Sequence, residues 1–134
     1  MSKHSKIKGI HDKIISNLER IVHDEISERN MEYSNQHRVI GEIDYWTYNT
    51  NSEILRLFEV KSNISPKNIN KGLKQLSRHI NILVPEYFEY TPRRIFTYLV
   101  SGCKYDKYWP RIIYVSDAHR CSVSNFFSRK GNIL

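Results

Sequence analysis

Asp44, Glu59 and Lys61 are the residues of this sequence whose types and spacing best suit chemistry. Two short apolar runs carry them, Gly41-Glu42-Ile43-Asp44-Tyr45-Trp46 and Ile54-Leu55-Arg56-Leu57-Phe58-Glu59-Val60-Lys61. The turn formers Asn49, Thr50, Asn51 and Ser52 lie between them, so the pair reads as a β-hairpin. Residues two apart on a strand share a face, which sends Glu59 and Lys61 one way and Phe58 and Val60 the other. Charged groups at the end of an apolar strand are costly to bury unless they are paired or hold a metal. Together they have the parts of a divalent-metal phosphodiesterase. Asp44 and Glu59 would offer oxygens to a hard cation such as Mg²⁺, with Mn²⁺ as substitute, and the Val60 carbonyl another. The metal would polarise a phosphate and acidify a bound water, which Lys61 would orient or whose charge it would offset. The plainer alternative is a cross-face Glu59–Lys61 pair at a sheet edge, with Asp44 in a turn.

The surrounding elements must bring these groups together. From Gly9 to Arg29 the apolar positions Ile10, Ile14, Ile15, Leu18, Ile21, Val22 and Ile26 step by three and four, the mark of an amphipathic helix. Glu19 lies at the margin of that stripe and Glu25 inside it. Met31–Ser34 reads as a short first strand, followed by strands over residues 41–48 and 53–62. Ser65-Pro66 is a helix start, and Ile69, Leu73, Leu76, Ile80 and Leu83 carry the helix to Pro85, which should stop it. Gln75 sits on one flank, aligned with Asn68 and His79. Lys67, Lys71, Lys74 and Arg78 make the outer face basic. Residues 94–101 and 111–116 are rich in β-branched and aromatic side chains and read as strands. Ser116-Asp117 would cap a C-terminal helix to about Phe127. The order α-β-β-β-α-β-β predicts an α/β domain with a mixed sheet of about five strands flanked by helices, the helix at 66–84 making a parallel crossover.

One domain is expected over residues 1–134, with residues 1–8 a basic arm or the first turn of the helix and a frayed tail at 128–134. No apolar run approaches the ~20 residues that span a bilayer, and the N-terminus lacks the pattern of a secretory signal. The expected location is therefore the cytoplasm, that of the host for a viral protein. Cys103, His119 and Cys121 fall short of the four-ligand zinc pattern and read as ordinary residues. Lys and Arg number 21 against 14 Asp and Glu, a net charge of +7 that favours polyanionic partners.

Asp44 followed by Glu59-Val60-Lys61 resembles the PD-(D/E)XK nuclease motif, with GEID and FEVK in typical context. Within that superfamily the chain looks most like the archaeal and viral Holliday junction resolvases. Leu18-Glu19-Arg20, with Glu19 25 residues before Asp44, is similar to their helix glutamate and following arginine. The helix, apolar strand, Trp109 turn and last strand after Lys61 also look alike. The resemblance implies a restriction-endonuclease-like fold and a Mg²⁺-dependent DNA endonuclease, dimeric and acting on four-way junctions. Asp44 and Glu59 would bind metal and Lys61 would serve the water. Glu19 would complete the site directly or through water, with Glu25, the choice of periodicity, as its alternative. Gln75 is similar to the glutamine that other branches place on this helix. Ser34 and Arg38 stand in the first loop, where resolvases carry a serine and basic residues. Lys67, Lys71, Lys74, Arg78, Arg93 and Arg94 would track DNA phosphates. Two other readings remain open: a restriction, homing or phage nuclease on the same motif, and a non-catalytic nucleic-acid-binding module.

Overall fold

The hairpin forms as its sequence requires. β2 (Val39–Asn49) and β3 (Ile54–Val60) pair antiparallel, closed by a turn in which the Asn49 side chain accepts the Asn51 and Ser52 N–H groups. In the computed structural model residues 3–119 are described, with side chains from 9 to 117. Around the hairpin stand α1 (Lys3–Ile21), β1 (Ile26–Ser34), α2 (Pro66–Arg78), β4 (Arg94–Gly102) and β5 (Pro110–His119). The five strands lie in chain order, β3 and β4 parallel and every other neighbouring pair antiparallel. The α2 crossover joins the parallel pair, and the fold is the α/β architecture expected from the order of elements.

Each face of the sheet has its own core. Leu55 and Leu57 of β3 pack with Trp46, Leu76, Ile80 and Leu99 under α2. Phe58 and Val60 turn to the other side, against Tyr45 and the Ile14, Ile15 and Leu18 stripe of α1. That alternation leaves Glu59 and Lys61 on the α2 side.

Ser65 caps α2 by accepting the Asn68 N–H at 3.3 Å, with Pro66 in the first turn. The helix does not stop at Pro85. After Arg78 it widens into π-helical winding over His79–Tyr87, with Pro85 inside it. Gly72 lets α2 sit close to the sheet, because a Cβ there would lie 2.4 Å from Leu99 Cδ1 and 3.4 Å from Lys61 Cε. Gly72→Ala should therefore destabilise by about 1–3 kcal/mol in urea denaturation, the overlap outweighing the ~1 kcal/mol of helix propensity gained. A more stable variant would refute this close seating.

Three expectations need correction. The first helix ends at Ile21, not Arg29; it begins at Lys3, so the basic N-terminal residues supply its first turn. Residues 26–34 pair with β2 instead, from Ile26↔Tyr48 to Ser34↔Val39. The acids between explain the break. Asp24 accepts from Thr47 Oγ1 (2.6 Å) and Arg56 (2.8 Å), and Glu25 holds the backbone N–H and hydroxyl of Thr50. These bonds fasten the chain across the hairpin, and a continuing helix would forgo them. Ser116 and Asp117 belong to β5 and cap no helix there. The expected helix beyond them and the tail at 128–134 lie outside the described residues. No helix among the described residues is long and apolar enough to cross a membrane.

Candidate active site

Asp44 sits where strand pairing is interrupted on both sides. The β2–β3 register ends at Tyr45↔Phe58, and Asp44 Oδ2 accepts the Val60 N–H at 2.8 Å in place of a backbone carbonyl. On the β1 side the register passes from Arg29↔Tyr45 to Met31↔Ile43, and Asn30 between them takes φ 54°. The splayed strand end leaves Asp44 half-buried, though protein surrounds it on most sides. Glu59 beside it is 1% exposed.

These two carboxyls are hydrogen-bonded to each other, and burial drives both well above the ordinary carboxylate range. For Asp44 the Glu59 charge adds to that rise. For Glu59 the nearby Lys61 opposes it. Two buried acids this close hold one proton between them unless a cation replaces it.

Glu59 Oε1 lies 2.5 Å from His79 Nε2, and His79 Nδ1 lies 2.8 Å from the Tyr33 hydroxyl. Burial lowers the His79 pKa to about 4, so the ring is neutral and donates from one nitrogen only. With Glu59 as the carboxylate of the pair, Nε2–H donates to it and Tyr33 O–H donates to Nδ1. Tyr33, His79 and Glu59 are each at most 3% exposed. The Glu59–His79 contact is therefore a hydrogen bond from a neutral imidazole to a carboxylate and not an ion pair.

Lys61 Nζ donates to Gln75 Oε1 at 2.6 Å. Burial moves Lys61 below the ordinary lysine range, and neighbouring Lys71 pushes the same way against the pull of Glu59 and Asp44. Gln75 and His79 are one turn apart on the helix, about 6 Å, and they meet Lys61 and Glu59, two residues apart on β3 at about 6.6 Å. Helix and strand repeats match across the site.

Glu19 is not among these groups. It is exposed on α1 and paired with Arg29. His11 faces the site from the same helix, eight residues earlier or about 12 Å along the axis. Burial lowers its pKa while Asp44 raises it and Lys61 lowers it further. Glu25, outside the helix, serves the hairpin turn. Sequence reading assigned no role to His11, His79 or Tyr33. His11 stands at the stripe spacing of Ile14, Ile15 and Leu18, and a polar residue there was the available signal.

The expected DNA contacts divide into groups. Lys67, Lys71, Lys74 and Arg78 are exposed along α2. Arg38 and Arg78 line one surface cavity of ≈430 Å³ with Ile82. Arg93 and Arg94 stand at the start of β4, beside Ile54 and about 17 Å from the level of Glu59. Arg94 is committed to Asp117 and to the Phe96 ring.

Among the described residues no group of three or more His, Cys, Asp or Glu side chains is placed to hold a metal. Two carboxylates and the Val60 carbonyl at the strand end are what the site offers. That set fits a hard cation that keeps several waters and does not fit a closed zinc site. Comparison of the chain with protein families, curated proteins and solved structures finds no match in any of the three.

Proposed function

We propose that the protein is a metal-dependent DNA endonuclease, with Asp44 and Glu59 holding Mg²⁺ and Lys61 acting on the attacking water. The observation that carries this reading is the convergence of two mutually hydrogen-bonded buried acids with a lysine held by Gln75. A structural ion pair would not need two acids sharing one proton beside a half-buried lysine. Bound between the carboxylates, a divalent cation would supply charge for the phosphate and acidity for its water.

The chain's own groups have separate roles. Val60 N–H fixes Asp44, His79 fixes Glu59, and Gln75 fixes the Lys61 ammonium. A lysine pKa lowered by burial brings Lys61 nearer to the value at which an amine accepts a proton. His11 adds a neutral imidazole on the α1 side, within reach of Asp44's field. The basic face of α2 would track the phosphate backbone. Paired cuts on a four-way junction need two copies of the site, so a two-fold homodimer belongs to the resolvase form of this proposal.

The test is cleavage of a synthetic four-way junction, a linear duplex and a single strand, each with Mg²⁺, with Mn²⁺ and with EDTA. Symmetric cuts confined to the junction select a resolvase, and cuts elsewhere select another nuclease. No metal-dependent cleavage of any of them would sink the proposal. Gln75→Ala should slow cleavage about tenfold in single-turnover assays, since the lysine stays but loses its anchor. Lys61→Ala should slow it more.

A further inference from the structure

A cleft of ≈340 Å³ opens where the parallel strands end. It is lined by Ser62 and Ser101, by Gly102, and by the cations Lys104, Lys107 and Arg111. Ser62 is the residue after Lys61, and Ser101 the residue after Val100, whose carbonyl accepts the Lys61 N–H at 2.8 Å. The cleft therefore adjoins the candidate active site through the backbone. No carboxylate is among its lining residues.

The loop that supplies Lys104 and Lys107 is fastened through its backbone, and Arg111 follows it on β5. Cys103 N–H donates to the Asp106 and Trp109 carbonyls, both at 3.0 Å. Gly102 admits the loop's close return, since a Cβ there would lie 2.1 Å from the Lys107 carbonyl oxygen. From α1, Asn17 donates to the Tyr108 carbonyl at 2.8 Å and Lys13 covers the Tyr108 ring at 4.4 Å. Tyr105 is different. It is 92% exposed at the outer end of this fastened loop, with Lys104 beside its ring.

Cations on a backbone-fastened loop and the strand after it, next to a protruding aromatic ring, suit one kind of ligand. Phosphates meet the cations, and the ring offers a flat apolar surface to a base whose own face is free. Stacked duplex bases have no free face, whereas an unpaired nucleotide does. We propose that the cleft and the Tyr105 loop form a subsite for an unpaired DNA strand, with phosphates held by Lys104, Lys107 and Arg111 and a base stacked on Tyr105. This subsite rests on the nuclease reading for its purpose, and it names the substrate class as DNA with a single-stranded segment beside the cut.

Binding of a labelled oligodeoxythymidylate of about ten nucleotides and of a blunt duplex of the same length, measured by anisotropy in EDTA on the full chain, tests it. Tyr105→Ala is expected to weaken strand binding about tenfold, to leave duplex binding unchanged, and to be rescued by Tyr105→Trp. Replacing Lys104, Lys107 and Arg111 together with Ala should flatten the slope of log affinity for the strand against log salt by about 2. Melting curves verify that the variants fold. A wild-type protein that does not bind the strand, a Tyr105→Ala variant that binds it normally, or equal losses on strand and duplex would each overturn the subsite. Cleavage is scored separately with Mg²⁺. Cleavage without strand binding removes the subsite alone, and strand binding without cleavage removes the nuclease reading alone.

Discussion

Glu59→Gln should abolish the proposed metal-dependent cleavage, by more than about a thousandfold, while making the metal-free protein more stable above neutral pH. The amide keeps an oxygen for the His79 Nε2–H but carries no charge for a cation. The stability gain follows from the raised carboxyl pKa values. A group whose folded pKa lies above its unfolded value contributes stability that is complete below the unfolded pKa, near 4 for a carboxyl, and is lost as pH rises through the folded one. Between those values each such group costs about 1.4 kcal/mol per pH unit. His11 and His79 have lowered pKa values and act in the opposite sense, but only below about pH 6.5, where the unfolded imidazole takes a proton. Melting temperatures in EDTA between about pH 6.5 and 8 thus report on the carboxyl pair, below the range in which Lys61, its pKa lowered, acts in the opposite sense. The parent should lose stability as pH rises and Glu59→Gln should lose less, with Mg²⁺ restoring the parent alone. Asp44→Asn should behave alike, its amide oxygen still taking the Val60 N–H. Full activity in either variant would refute the site.

The sequence discloses groups whose partners are near in the chain or follow a repeat. Glu59 and Lys61 share a face because strands alternate, and Gln75 reaches Lys61 because α2 starts at Ser65 and keeps its stripe. The same regularity contained His79, one turn after Gln75 and aligned with it. Matching that step to the two-residue step from Lys61 back to Glu59 would have assigned it a partner.

The end of α1 was not legible in the same way. Ile21, Val22 and Ile26 keep helical spacing, so the local pattern runs on past the break. What decides the break is distant: Thr47, Arg56 and Thr50, held by Asp24 and Glu25, and a β2 edge that takes residues 26–34 as a strand. Tertiary pairing overrides local propensity in such cases. The misplaced helix end also explains Glu25, which was inside the stripe only while the helix was assumed to continue. Glu19 was favoured by resemblance and by its place at the margin of the stripe, against the Glu25 that periodicity chose. Its exposed pairing with Arg29, itself on β1, follows from the strand that the helix reading had erased.

His79→Ala should be the most destabilising single change at the site, by about 3–5 kcal/mol. It strands two buried groups at once, the Glu59 carboxylate and the Tyr33 hydroxyl, where each unsatisfied group costs about 1–3 kcal/mol. The lost imidazole also leaves a cavity between α2 and the sheet. Tyr33→Phe removes only the outer bond of the chain, leaving the neutral ring able to donate to Glu59, so it should cost about 1 kcal/mol. His79→Gln, which retains a side-chain donor on the same helix turn, should fall between them. The order Tyr33→Phe, His79→Gln, His79→Ala in urea midpoints at pH 7 checks the relay directly. A cost for His79→Ala no greater than that of Tyr33→Phe would mean that Glu59 is held by something other than this ring. If Glu59 also binds the metal, saturating Mg²⁺ should recover part of the His79→Ala deficit, because the cation supplies the partner that the imidazole no longer does. Glu59→Gln combined with His79→Ala should then show no recovery at any Mg²⁺ concentration, which ties the stability effect to Glu59, one of the two carboxylates on which the proposed chemistry depends.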